Sequence, residues 1–201
     1  MMSLEPYFLK DSIEVGLDEA GRGCLAGPVY AAAVILNPKN PIEGLNDSKQ
    51  LNEKRREELE KEIRNKALEY SISYCNPREI EEHNILNASI KAMHRSLDAL
   101  KTNFNHILVD GNRFRPYKEI AFRTMIKGDS RFQSIAAASI LAKCNRDRYM
   151  KKLSLKFPQY LWDKNKGYPT IEHRIAIAKH GATSHHRKSF KLLPENQIKL
   201  F

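Results

Sequence analysis

Residues 15–36, VGLDEAGRGCLAGPVYAAAVIL, constrain the fold more than any other part of the chain. Ile13, Val15 and Leu17 alternate with Glu14 and Gly16, the period of a half-buried strand. Asp18 and Glu19 close that strand, and Gly21-Arg22-Gly23 follows at once. Residues 29–36 are then a continuous apolar run, flanked by Pro28 and Pro38 and too short for a helix, which predicts a buried strand.

The rest of the chain alternates in the same way. NPKNPIEGLNDS is a loop dense in turn formers. Residues 52–66 are charged with little apolar surface beyond Leu59 and Ile63, and predict a solvated surface helix. Residues 68–75 alternate as a third strand. Residues 77–100 predict a helix in two pieces, the second with Ile90, Met93, Leu97 and Leu100 on one face. HILVD is a short buried strand ending at Asp110, and residues 119–125 form a short edge strand. Residues 131–155 predict a long helix with Ser130 as its N-cap, and Phe132, Ile135, Ala136, Ser139, Ile140 and Lys143 on its inner face. Residues 170–180 are a helix between Pro169 and Gly181. Three early strands followed by strands interleaved with helices give an α/β domain with a mixed sheet. The domain is expected over residues 1–189, with a tail over 190–201.

With 34 Lys and Arg against 24 Asp and Glu, the formal charge is +10, which favours a polyanionic partner such as nucleic acid. Cys24, Cys75 and Cys144 are few and widely spaced, as expected of reduced thiols in a cytoplasmic protein rather than a disulfide framework or zinc site. Neither a signal peptide nor a membrane span is expected. A monomer is the default expectation.

Four acids stand at element ends: Asp18 and Glu19 after the first strand, Asp110 after ILVD, and Asp129 in IKGDS before the long helix. Carboxylates placed there gather at one edge of a sheet, where loops leave room for a ligand. Clustered anions repel unless a cation joins them. Oxygen ligands without His or Cys suit Mg²⁺ or Mn²⁺, and two such ions hydrolyse phosphodiesters in line. Singly, Asp129 also reads as a helix-start acid and Asp110 as a turn residue. Regular alternation points Glu19 away from Asp18, so Glu19 joins the same site only if the strand breaks at Ala20-Gly21 or if its carbonyl serves. GRGCLAG lacks the following helix and the spacing of a dinucleotide fingerprint; its glycines instead allow close backbone approach to a ligand, with Arg22 able to meet a phosphate.

GLDEAGRGCLAGPV, NDSKQL, LVDGN, IKGD, IAAASILAKCNRDRYM, GYPT and HHRKSF occur here in the order seen in ribonuclease HII. The chain resembles that family over about residues 15–190. The resemblance implies a ribonuclease H-like fold with a helical C-terminal part. It implies endonucleolytic cleavage of RNA in RNA–DNA hybrids and of single ribonucleotides in duplex DNA, leaving 3′-hydroxyl and 5′-phosphate ends. It makes Asp18, Glu19, Asp110 and Asp129 the metal-binding and catalytic acids. It makes Gly21, Arg22 and Gly23 the loop that reads the 2′-hydroxyl through backbone groups, and Tyr168 of GYPT the tyrosine that contacts it. That hydroxyl is what separates RNA from DNA at one site. Ser48, Lys49, Lys143 and Arg146 look like phosphate contacts, Lys143 and Arg146 lying about one helical turn apart; a solvated or ion-paired helix face is the plain alternative for these two, as a packed loop aromatic is for Tyr168.

His173, His180, His185 and His186 match no zinc spacing and are expected as surface or phosphate-contacting residues, with His186 structural within its motif. Gln197, Ile198, Lys199, Leu200 and Phe201 resemble the short peptide by which bacterial replication and repair proteins bind the sliding clamp; the alternative is that they fold back onto the domain. The rival functions are a junction resolvase of the same fold, which needs no 2′-hydroxyl sensor, and a non-catalytic nucleic-acid-binding domain.

Overall fold

The computed structural model describes residues 4–193. Five strands form one mixed sheet: β1 (Glu14–Ala20), β2 (Val29–Ile35), β3 (Glu69–Cys75), β4 (His106–Asp110) and β5 (Ala121–Met125). Their spatial order is β3-β2-β1-β4-β5. β1 to β3 form an antiparallel meander, while β4 runs parallel to β1 and β5 parallel to β4.

Helices cover both faces, which is why β2 is apolar throughout. On one face Val15, Leu17, Ala31, Ala33, Ile107 and Val109 pack against Ala88, Ala92, Met93 and Leu97 of α2 (Pro77–Asp98). On the other, Ala32 and Val34 meet α1 (Glu53–Lys66) through Leu59 and Ile63, and α3 (Gln133–Ser154) through Ala136–Leu141. Gly16 explains how close α3 lies: a Cβ there would stand 2.2 Å from the Ser134 carbonyl carbon. The expected two pieces of this helix meet at a kink at Asn84, whose φ of 61° is non-helical. Beyond α3, the short α4 (Trp162–Asn165) and α5 (Ile171–His180) form a helical C-terminal part. There Trp162, Tyr160, Met150 and Ile177 make a separate small core.

Three expectations need correction. Ser130 does not cap α3: its hydroxyl closes a 3-10 turn, Gly128–Ser130, onto the Lys127 carbonyl. The helix begins at Gln133 after an extended Phe132, and the Glu5 carbonyl takes the Gln133 N–H in place of a cap. α3 is also buried nearly all round between residues 134 and 142 instead of on one stripe, because sheet and α1 enclose it. Phe190, Leu192 and Leu193, placed in the tail by the sequence, lie against the C-terminal core, where their apolar side chains find cover. Residues 197–201 fall outside the described residues.

Candidate active site

β1 and β4 are parallel neighbours in a register that pairs Leu17 with Val109. The next residues, Asp18 and Asp110, therefore emerge side by side on the α3 face. β5 ends beside Asp110, and the chain turns through left-handed Lys127 into Gly128–Ser130. The turn is locked to the strand: the Gly128 N–H donates to Asp110 Oδ1 at 2.7 Å. A Cβ at Gly128 would stand 2.6 Å from Ile135 Cδ1. Asp129 follows, so three sequence-distant carboxylates converge, with one oxygen of each within 4.8 Å of the others.

These acids are poorly solvated and repel one another. Burial, then Glu19 and Asp110, push the Asp18 carboxyl well above its usual range. Burial, then Asp110 and Asp47, push Asp129 to about 6. Lys49 is the cation nearest to Asp129, its Nζ 3.7 Å from Oδ2 on a side chain 80% exposed. Glu19 stays inside β1, opposite Ala31, so the strand does not break before it. Its carboxylate holds Arg22 at 3.2 Å. Burial raises it, and it still feels Asp110. Among the described residues, Asp18, Asp110 and Asp129 are the group positioned to share a metal ion. Buried, mutually repelling oxygen donors fit a hard divalent cation.

Gly21 adopts φ +97°, and a Cβ there would meet Arg146 Nε at 1.9 Å. Gly23 has nothing within 4 Å of its missing Cβ, so the loop presents open backbone. Tyr168, 37% exposed, lies with its ring 5.5 Å from Lys143 Nζ and 5.7 Å from the Arg146 guanidinium. Lys143 also pairs with Asp147 at 2.7 Å. Ser48 is buried against the Ser139 hydroxyl at 2.9 Å.

Arg146 is not a surface phosphate contact. It is 0% exposed and donates to the carbonyls of Pro28, Ala26 and Lys166 at 2.8–3.0 Å. A second buried arginine, Arg187, donates to the carbonyls of Gly27 and Arg22. Together they clamp the glycine loop from beneath. Sequence reasoning missed Arg187, although it stands in HHRKSF, a motif the reading had singled out. His173 is likewise buried instead of at the surface, and His186, expected as structural, is buried beside it, both packed around Trp162 and Tyr160.

The comparisons with known proteins agree with this architecture. The sequence profile of the family described as Ribonuclease HII matches residues 15–193. The chain is 56% identical over 198 residues to the ribonuclease HII of Bacteroides fragilis, covering 98% of each chain. The crystal structure of the ribonuclease H2 from Pyrococcus horikoshii superposes with a TM-score of 0.75 at 27% identity, covering 89% of this chain and 94% of that one. The ribonuclease HII of Archaeoglobus fulgidus, solved as a complex with PCNA, also gives a TM-score of 0.75, at 26% identity and covering 91% and 97% of the two chains. A family match over nearly all the described residues, at this level of identity, leaves one conclusion: the chain belongs to the ribonuclease HII family.

Proposed function

We propose that this chain, by its family an endoribonuclease of RNA–DNA hybrids, hydrolyses the RNA strand at the cluster of Asp18, Asp110 and Asp129, with Glu19 beside it. The observation that carries the assignment is the convergence of three carboxylates from three segments at one edge of the sheet, Asp18 and Asp129 buried and Asp110 partly so. Asp18, Asp110 and Asp129 would hold Mg²⁺ or Mn²⁺, which when bound would supply Lewis acidity for attack of water on the phosphorus with the 3′-oxygen leaving, giving 3′-hydroxyl and 5′-phosphate ends. Lys49 reaches the cluster from an exposed side chain and is suited to steer the scissile phosphate. Gly21, Arg22 and Gly23 offer backbone groups to a 2′-hydroxyl, and Tyr168 faces the same sugar. This pairing supports cleavage at single ribonucleotides in duplex DNA as well as in longer hybrids. Lys143 remains a candidate phosphate contact; buried Ser48 supports the site through Ser139, and Arg146 serves the loop from below.

A duplex carrying one ribonucleotide tests this reading. Cleavage is expected with Mg²⁺ or Mn²⁺ and not with EDTA. Asp18→Asn is expected to lose roughly 100-fold or more in rate, the scale set by removing one preorganised electrostatic group, while still retaining the duplex, since binding rests on phosphate contacts. Undiminished cleavage in EDTA or by Asp18→Asn overturns the assignment.

A second reading concerns a partner. The Archaeoglobus relative is solved with PCNA, and residues 197–201, QIKLF, have the Gln and the Leu-Phe pair suited to a hydrophobic groove. We assign this segment to sliding-clamp binding.

A further inference from the structure

We propose that His173 and His186 form a buried positioning pair that fixes Tyr168 at the substrate face. The proposal rests on the reading of Tyr168 as a substrate contact. His173, the third residue of α5, places Nδ1 2.9 Å from the Tyr168 carbonyl oxygen. A carbonyl has no proton to give, so Nδ1–H donates, and Nε2 of the neutral ring accepts. Trp162 Nε1–H donates into that Nε2 at 2.9 Å. His186 Nε2 stands 3.3 Å from the same atom. His186 Nδ1 in turn accepts the Thr183 N–H at 3.0 Å, which leaves its proton on Nε2, directed at His173. The network thus assigns a tautomer to each ring. It runs from Thr183 through His186 and His173 to the backbone of Tyr168.

A proton added to His173 sets Nε2–H against the Trp162 Nε1–H, and one added to His186 sets Nδ1–H against the Thr183 N–H, with the Thr183 hydroxyl 3.1 Å away as its one alternative acceptor. The surroundings favour neutrality: His173 is 0% and His186 2% exposed, and burial draws both below the usual imidazole range. The target of the relay is the backbone turn that carries Tyr168. The Tyr168 carbonyl also accepts the Thr170 N–H at 2.8 Å, and Leu25 N–H donates to the Gly167 carbonyl at 2.8 Å. With its backbone held at the carbonyl, Tyr168 sets its half-exposed ring against Lys143 and Arg146. His173 is therefore a positioning residue, acting through Tyr168.

A double-mutant cycle on full-length protein tests this, with kcat and KM measured on duplex DNA carrying one ribonucleotide. His173→Gln keeps a polar group at the depth of Nε2 but removes the donor to the Tyr168 carbonyl. His173→Asn returns an amide N–H at the place of Nδ1. The expected result is a fall of roughly tenfold in kcat/KM for His173→Gln, within the coupling range of residues in contact. In a Tyr168→Ala background the same substitution is expected to cost less than about twofold, and His173→Asn is expected to recover most of the loss. An equal loss in both backgrounds, or no recovery in His173→Asn, overturns the proposal alone. Unchanged cleavage by Tyr168→Ala overturns the reading of Tyr168 and the proposal with it. Should His173→Gln fail to fold, His186→Asn, which keeps an acceptor for Thr183 and loses the donor toward His173, takes its place in the cycle, with His186→Gln as the variant expected to recover most of the loss.

Discussion

Asp129 has Asp18, Asp110 and Asp47 for neighbours and Lys49, at 3.7 Å, to offset them. Its carboxyl is raised from 3.8 to about 6. For an acid the sign is unfavourable: the folded protein holds a proton that the unfolded chain releases between about pH 4 and pH 6, so stability falls as pH rises through that window. Above it the full cost is present, of the order of 1–3 kcal/mol for a shift of this size. Removing the charge therefore stabilises the metal-free fold while disabling the site. Asp129→Asn is expected to melt higher than the parent in EDTA at pH 7, to lose that advantage near pH 4, and to cleave far more slowly with Mg²⁺. Melting curves at the two pH values check it; an equal or lower melting temperature at pH 7 in EDTA refutes it. The convergence of Asp18, Asp110 and Asp129 was legible in the sequence because each stands at or just beyond the end of a strand, and strands that end at one edge of a sheet bring those residues together. Arg146 was not. In NRDR on a helix, nothing local separates the buried arginine from the exposed one. Two of its acceptors, the Pro28 and Ala26 carbonyls, lie 118 and 120 residues away.

The secondary structure elements show the same division between local and distant causes. α2 starts where its sequence directs: Pro77 occupies the first turn, and Asn76 and Glu79 form a reciprocal capping box with both hydrogen bonds at 3.0 Å. α3 starts where a distant strand-like segment directs, through the Glu5 carbonyl, and its start was accordingly misread. Glu79 has a further role, since Arg95 holds it at 2.6 Å. That bond, together with the N-cap amide, lowers its carboxyl from 4.5 to about 2. A depressed acid stabilises fully above pH 4.5, and the gain is lost as pH falls through about 2. Because Arg95 is partly exposed, solvent screening leaves about 1–2 kcal/mol of the shift. Glu79→Gln preserves the capping geometry and removes only the charge. It is expected to cost that amount at pH 7 by urea unfolding, with the difference from the parent shrinking steadily below pH 4.5. A cost that does not change with pH assigns the effect to the cap instead of the ion pair.

Across the molecule, a formal charge of +10 surrounds a site built from buried acids, so long-range attraction to nucleic acid and local affinity for cations coexist in one domain. The helical C-terminal part closes over the glycine loop, with Leu193 as the last described residue. No helix among the described residues is long and apolar enough to cross a membrane. The catalytic geometry is built from residues 14–187, and residues 197–201 follow it in sequence, so clamp binding and cleavage are expected to separate cleanly. A short peptide of this kind places its Leu and Phe in a hydrophobic groove and pays an ordering cost that keeps affinity modest. Deleting residues 197–201 is expected to leave cleavage of free oligonucleotide duplexes within about twofold, because the acids and the glycine loop all belong to residues 14–187. The same deletion is expected to abolish retention on immobilised sliding clamp. Two measurements decide it, surface binding to the clamp and a melting curve of the truncated protein. Retention equal to that of the full chain rules out the clamp assignment, and a fall in melting temperature instead assigns Ile198, Leu200 and Phe201 to covering apolar surface on the domain.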